Sequence, residues 1–351
     1  MALPLQIPHC RLSMTEALDV LIVGGGPAGL AAAIAASRRG LSYVVLEKGT
    51  LVNSLLHYPT EMVFFTTPEL LEIGGYPFVS PYEKPTRHEA LKYYRKVADA
   101  ARLDVHFSET ATQVAKTSEG FVVTSQPASG EARTRTARSV VLASGAYDMP
   151  NRLGVPGEDL PHVSHYYREP HVYYRRRVVI VGGKNSAAEA ALDIFRNGGE
   201  ARIVHRGPAM GDSIKYWVKP DIDNRIKEGS IPARFNTRVV EITSDEVVVD
   251  GPEGRASERA DAVLLLTGYR SDLTLLRQAG ASIDESIGAP IHDPDTFETT
   301  VPGLFVIGAC VAGQQSGRIF IENGRFHGEV VVKQIGSREV ERSGGREVRL
   351  R

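Results

Sequence analysis

The run Asp19-Val20-Leu21-Ile22-Val23-Gly24-Gly25-Gly26-Pro27-Ala28-Gly29 decides how this 351-residue chain folds. Val20-Leu21-Ile22-Val23 is short, apolar and largely β-branched, the pattern of a strand buried on both faces. Residues 30–39, after the glycines, are rich in alanine and read as a helix, with Gly40 placed to stop it. A second apolar strand, Tyr43-Val44-Val45-Leu46, runs into Glu47. Strand, G-x-G-x-x-G, helix, strand and acid make up the unit that binds a dinucleotide. Gly24 permits the tight turn, Gly26 admits a pyrophosphate to the backbone, and Gly29 lets the helix close on the strand. Pro27 sits in the first helical turn, where its missing N–H is not needed. The amides and the positive end of the helix hold the phosphates, and Glu47 is placed to accept ribose hydroxyls.

Moving outward, the pattern recurs. The strand Arg177-Val178-Val179-Ile180-Val181 enters Gly182-Gly183-Lys184-Asn185-Ser186-Ala187. A helix over 188–197 follows, stopped by Gly198-Gly199, and then the strand Ala201-Arg202-Ile203-Val204. No acid closes this strand; His205 and Arg206 stand there. An acid would repel a 2′-phosphate and basic residues attract one, so this loop reads as an NADPH site. Lys215 is a further candidate for the same pocket, although Arg206 also reads as a plain surface cation. Lys184 replaces the usual middle glycine, and its amine is a candidate phosphate ligand.

Composition narrows the class. There are 41 Lys+Arg against 42 Asp+Glu, for a net charge of −1, which argues against a nucleic-acid partner. With 42% hydrophobic and 24% charged residues, the chain is globular rather than disordered. No apolar run approaches the roughly 18–20 residues of a membrane span. Two cysteines make no disulfide framework and suit a reducing, cytoplasmic setting. The ten histidines show no H-E-x-x-H or comparable spacing, so no metal is expected. Three strand-then-glycine markers complete the organisation. They are Val140-Val141-Leu142-Ala143-Ser144-Gly145, the run over 262–266 with Thr267-Gly268-Tyr269, and Thr300-Val301-Pro302-Gly303-Leu304-Phe305-Val306-Ile307-Gly308. Two nucleotide loops in one chain of this length imply two cofactors meeting at a cleft.

In this order of features the chain resembles the two-dinucleotide flavoproteins, specifically the small thioredoxin-reductase-like branch. More closely it is similar to the bacillithiol disulfide reductase family. Tyr58-Pro59-Thr60 with Phe64-Phe65, Lys84-Pro85 with Arg87, and Tyr93-Tyr94-Arg95 carry the likeness. So do His165-Tyr166 with Glu169 and His171, the second glycine loop with its Lys184, and Ser213-Ile214-Lys215 with Trp217. Ile319-Phe320-Ile321-Glu322-Asn323-Gly324 with Phe326-His327-Gly328 is the most specific part. The resemblance implies FAD at the first loop, with Gly24, Gly26, Pro27, Ala28, Gly29, Glu47 and Lys48 as contacts. It adds Tyr58, Phe65, Val114, Gly145, Gly308, Ala309, Ile319 and Phe320 for FAD. For NADPH it implies Gly182, Gly183, Lys184, Asn185, Ser186, His205, Arg206, Lys215 and Gly268. The implied reaction passes a hydride from NADPH through FAD to the disulfide of a low-molecular-weight thiol such as bacillithiol. A homo-oligomer is implied as well.

The chain departs from these relatives in three places. Nothing matches the Cys-x-x-Cys pair of thioredoxin reductases, so an internal dithiol relay is not expected. Ala28 stands where members of the family typically carry a cysteine, and Ala309 replaces the Asp usual in the wider superfamily. Cys310, at the turn toward the flavin, is the remaining candidate nucleophile, against its reading as a small buried hydrophobe. Cys10 lies on the N-terminal arm. His57 and His165 are candidate proton donors, against structural hydrogen bonding.

The expected fold is α/β, with two Rossmann-like domains and the NADPH domain inserted into a discontinuous FAD domain. The FAD domain is placed at 15–165 and 292–336, the NADPH domain at 172–288, and flexible tails at 1–13 and 337–351. Crossovers are read at 161–176 and 282–295, both sheets as parallel, and the domains as able to rotate about the crossovers. Three other functions stay open. They are a ferredoxin or flavodoxin–NADP reductase-like electron transferase, a flavin monooxygenase, and a non-catalytic nucleotide-binding protein.

Overall fold

The computed structural model describes residues 17–314 and 317–342. Cys10, the expected tail 1–13 and residues 343–351 of the other tail lie outside the described residues. The strand Leu18–Val23 pairs in parallel with Tyr43–Leu46 on one side and with the far half of Arg133–Leu142 on the other. Val20, Leu21 and Ile22 are fully buried there, as a strand covered on both faces requires. Leu304–Val306 adds to the other edge of Val140, Val141 and Leu142, so the late strand does return to the first domain. The helix Pro27–Arg38 covers one face. The helix His327–Arg342 crosses it so closely that a Cβ on Gly328 would stand 2.5 Å from the Ala32 nitrogen.

The second domain repeats the plan. Arg177–Val181 lies between Glu200–Val204 and Ala262–Leu265, all parallel. The helix Asn185–Arg196 buries Ala187, Ala188, Ala190, Ala191, Leu192 and Ile194 against them. The chain therefore folds as two Rossmann-like units.

Three expectations are corrected. The sheets are not wholly parallel. Glu109–Lys116 and Phe121–Pro127 run antiparallel onto the start of Arg133–Leu142. Arg238–Ile242, Glu246–Gly251 and Gly254–Arg259 form an antiparallel meander. Their side chains alternate, with Val247 and Val249 buried and Glu246, Val248 and Asp250 between and beside them more exposed, which suits a sheet covered on one face only.

The crossovers lie elsewhere than read. They are Met149–Pro150 and Tyr269–Arg270, paired as a short antiparallel ribbon. Leu153, Val155, Leu160 and Val163 already pack into the second domain's core, and Val163–Ser164 joins its sheet. On the return, Leu273, Leu275, Leu276, Ala279, Ala281 and Ile283 pack into the first domain's core. The inserted domain thus spans about residues 151–268. The polar run over 161–176 mimicked a linker, but burial of the apolar residues before it moves the boundary back.

The C-terminal tail begins later than expected. The last helix continues through Arg342, and Arg338 grips the Glu298 carboxylate at 2.6 Å with both guanidinium nitrogens. Among the described residues no helix is long and apolar enough to cross a membrane.

Candidate functional site

Both glycine loops open into one cleft of about 2150 Å³ between the domains. At the first loop, Gly24 has φ +111°, and a Cβ there would lie 2.3 Å from the Ala143 carbonyl oxygen. A Cβ on Gly29 would lie 1.9 Å from the Gly24 oxygen, so helix and strand meet only because both residues are glycine. Gly26 differs: nothing stands within 4 Å of where its Cβ would be. It caps the helix without a side-chain partner, leaving first-turn amides turned to the cleft. Glu47, 5% exposed, accepts from the amides of Gly25 at 2.7 Å and Gly49 at 2.8 Å. Burial raises its pKa, opposed by those two bonds. Two of its lone-pair positions are taken by the loop, and the residue also lines the cleft. This cradle fits the pyrophosphate and ribose of FAD.

At the second loop, Gly182 has φ +154°, and a Cβ there would stand 2.6 Å from the Leu266 oxygen. Lys184, exposed, takes the helix-capping position, again without a side-chain cap. The His205 ring lies flat on the loop: a Cβ on Gly183 would be 2.4 Å from its Nε2. Arg206 and Ser186 are exposed at the rim. Free helix-start amides with two cations, and no acid at the end of the neighbouring strand, fit a phosphorylated nicotinamide dinucleotide.

Between the loops the wall is aromatic. Tyr58 meets Tyr147 edge-on with centroids 4.8 Å apart, Tyr147 lies 4.5 Å from Tyr269, and Tyr269 stacks on Tyr166 at 5.5 Å. Burial pushes the phenols of Tyr58 and Tyr147 up, and that of Tyr269 to about 12, so all three remain neutral, and Tyr147 and Tyr269 donate to the His57 and His165 carbonyl oxygens. Tyr269 lines the cleft with Tyr166 stacked on it, and neither was singled out from sequence as a cleft residue. Their signal was the tyrosine density beside the crossover.

Several sequence candidates stand elsewhere than expected. Val114 is fully buried in the first core, and Glu109, Thr110, Ala111 and Thr112 line the cleft instead. A register shift between Ala111 and Gln113 breaks the alternation and turns Val114 to the core. Lys215 is 8% exposed, with its ammonium 2.5 Å from Glu189 and 3.1 Å from the Val63 carbonyl oxygen, so it is no free phosphate ligand. Asn185 is also engaged, donating to the Ser213 carbonyl and accepting from the Lys215 amide. Phe65 stacks on Trp217 at 5.6 Å, at the rim. Lys48 pairs with Asp148 at 2.6 Å on the cleft wall. Gly145 and Gly268, both left-handed at φ +73° and +90°, line the cleft, as do Ala28, Gly308, Ala309, Ile319 and Phe320.

The three catalytic candidates all lie outside the cleft lining. Cys310 is 1% exposed, its Sγ 2.9 Å from the Ile307 oxygen, and burial pushes its pKa up to about 11. A thiol that is neither reachable nor ionised is no nucleophile. His57 accepts at Nδ1 from the Arg168 guanidinium at 2.6 Å, outside the cleft lining. His165 turns toward the buried Glu158, 3.5 Å away, and burial lowers its pKa. A further polar group sits under the turn. His327, 9% exposed, accepts the Gly308 N–H at Nδ1, and burial brings its pKa down to about 4.

Comparison with known proteins agrees with this geometry. The family described as pyridine nucleotide-disulphide oxidoreductase matches residues 21–308. The chain is 40% identical to bacilliredoxin reductase of Bacillus subtilis, over 91% of this chain and 98% of that one. Bacillithiol disulfide reductase from Bacillus cereus superposes with a TM-score of 0.90 at 39% identity, covering 92% of this chain and all of that one. The Staphylococcus aureus counterpart gives 0.87 at 35% identity, covering 93% of this chain and all of that one. The chain belongs to the pyridine nucleotide-disulphide oxidoreductase family and is a flavoprotein oxidoreductase.

Proposed function

We propose that this member of the pyridine nucleotide-disulphide oxidoreductase family uses NADPH to reduce the disulfide of a low-molecular-weight thiol, of which bacillithiol disulfide is the leading candidate. The overall change is balanced as NADPH, a proton and the disulfide giving NADP⁺ and two thiols. The single observation that carries it is the shared cleft, into which both nucleotide loops open. The resemblance to enzymes named for bacillithiol and bacilliredoxin supplies the acceptor class.

Bound FAD supplies the two-electron step between nicotinamide and acceptor. The chain's own residues bind, orient and enclose. The first-loop amides and Glu47 take the FAD pyrophosphate and ribose. Arg206 and Lys184 take the NADPH phosphates, favouring NADPH over NADH. The neutral tyrosines present an uncharged aromatic wall to whatever enters between, with the Tyr147 and Tyr269 hydroxyls donating to the His57 and His165 carbonyl oxygens. Cys310, the one cysteine among the described residues, is buried, and Ala28 has no thiol. Neither Cys310 nor position 28 would therefore form a mixed disulfide with the acceptor. A cytoplasmic homo-oligomer completes the reading, on the family likeness and the reducing setting.

The test is NADPH oxidation by the purified yellow protein with bacillithiol disulfide, other small disulfides, ferredoxin and oxygen in parallel. Turnover with a small disulfide is expected. Turnover with ferredoxin alone would replace the reading with an electron transferase, the alternative that the missing thiol pair favours. Consumption coupled only to oxygen and an oxygenated product would make it a monooxygenase. Light scattering of the same sample tests the homo-oligomer.

A further inference from the structure

Residues 57–65 belong to the flavin-binding domain, yet the inserted domain grips them at both ends. At one end Arg168 donates to His57 Nδ1 at 2.6 Å, and its carbonyl oxygen accepts the Thr60 N–H at 2.8 Å. At the other end the buried Lys215 ammonium donates to the Val63 carbonyl oxygen at 3.1 Å while held by Glu189. Trp217 stacks on Phe65 there, and Lys84 lies over the Trp217 ring, 4.6 Å from its centroid, while donating to the Phe65 carbonyl oxygen at 2.9 Å. The segment is equally fixed to its own domain. Arg87 donates to the carbonyl oxygens of Leu55 and Leu56, the Arg87 amide to Met62, and the Phe64 amide to Pro85. Rotation of the inserted domain about the Met149–Pro150 and Tyr269–Arg270 ribbon would have to break both grips at once.

We infer that residues 57–65 are a strap that locks the two nucleotide domains as one body, with Arg168, Lys215 and Trp217 as positioning residues. The domain rotation expected from the two crossovers is not part of the catalytic cycle. Two observations support this. The locked arrangement already puts both loops on one cleft, so no rotation is needed to bring the cofactors into a common space. The grip also spends a buried lysine and the chain's only tryptophan on a contact that touches neither nucleotide loop's amides. Lys215 is the buried group of the grip, and a buried paired charge at a domain boundary holds geometry more than it adds stability.

The test has a locking arm and a breaking arm, both on the FAD-loaded full chain with Cys10→Ser as background. For locking, Lys84→Cys with Tyr216→Cys places two thiols across the boundary without removing Phe65 or Trp217, and a short bismaleimide links them. Bleaching of the flavin absorbance by NADPH, followed by stopped flow, should stay within about twofold after linking. A tenfold or greater loss on linking would overturn the inference. For breaking, Arg168→Ala with Trp217→Ala loosens both ends and leaves the Lys215–Glu189 pair in place. The reduction rate at saturating NADPH should fall about tenfold while the NADPH dissociation constant moves less than about threefold. Small-angle scattering should show a broader particle. Unchanged rate and unchanged scattering would overturn the inference, and a melting curve and FAD content on both variants exclude simple misfolding. The inference rests on the second loop taking the nicotinamide. Failure of that reading shows as no bleaching in the unlinked protein, whereas failure of the strap shows only after linking.

Discussion

The two glycine loops share a backbone and differ in what closes it. In each, the first glycine donates its N–H to the end of the neighbouring strand: Gly24 to Leu46 at 2.8 Å, Gly182 to Val204 at 3.1 Å. In each, a residue at the end of that strand covers the second glycine. At the first loop it is Glu47, bonded to two amides. At the second it is His205, whose ring only packs on Gly183. The third position separates them further. Gly29 admits no side chain, whereas Ala187 fills the matching place, with its Cβ 3.1 Å from where a Cβ on Gly182 would lie. The first loop is a tight cradle tied by a carboxylate, suited to a cofactor that stays. The second is looser, lined by cations, and suited to a cofactor that comes and goes.

The largest expected effect that breaks this comparison is Gly29→Ala. The new methyl meets a backbone oxygen, so loss of FAD and about 3 kcal/mol or more of stability is expected, read by absorbance and urea unfolding. The reciprocal Ala187→Gly should cost only about 1 kcal/mol, the ordinary helix penalty. Next, Glu47→Ala strands the Gly25 and Gly49 amides, at about 1–3 kcal/mol for each that is left unpaired, with FAD affinity falling in a fluorescence titration. Third, Arg206→Glu should raise the Michaelis constant for NADPH roughly ten- to hundredfold by removing about 1.5–3 kcal/mol of charged hydrogen bonding, and hardly change that for NADH. A smaller effect separates the loops by pH. Burial raises the pKa of Glu47, so its contribution to stability is present in acid and lost as pH rises through its folded value. His205 is opposite: burial, with Arg206 beside it, lowers its pKa, so its contribution is lost as pH falls below the ordinary histidine range. Urea midpoints at pH 7.5 and 5.5 should therefore show His205→Asn gaining on the wild type in acid, and Glu47→Gln should not reproduce that gain. Smallest of all, Cys310→Ser should leave disulfide turnover within about twofold.

Much of this was legible because the loops are written as contiguous runs. Gly24, Gly26, Gly29 and Glu47 fall within one βαβ unit, and local spacing alone places them together. The crossovers were not legible. Met149–Pro150 and Tyr269–Arg270 are two residues each, too short to carry a periodicity, and they pair across a gap of the whole inserted domain. The polar stretch over 161–176 was the louder signal, and it misplaced the boundary. Cys310 illustrates a second limit. A cysteine after Gly308-Ala309 reads in sequence either as a reactive thiol or as a small buried hydrophobe, and what decides between them is Leu142 and Ile307, which only the folded sheet brings to it. Lys215 was read by type as a phosphate ligand, and its partner Glu189 lies one helix away. The runs that carried the family resemblance, Lys84-Pro85 and Lys215 with Trp217, did mark the strap, but a run shows that residues matter without showing what they touch.

The return of Leu304–Val306 to the first sheet has a consequence for how the protein is made. A ribosome synthesises residues 17–148 and then the whole inserted domain before it delivers that strand and the helix that packs on Ala32. The nicotinamide domain, continuous in sequence, can complete its core while the chain is still growing, at roughly 5–20 residues per second. The flavin domain cannot, because its sheet and the far wall of its cradle arrive last. The half-built first sheet therefore waits for some seconds with Val140, Val141 and Leu142 unpaired on one edge. During vectorial synthesis this chain is an orphaned flavin half carrying a finished nicotinamide domain, and cofactor capture becomes a late, post-translational event.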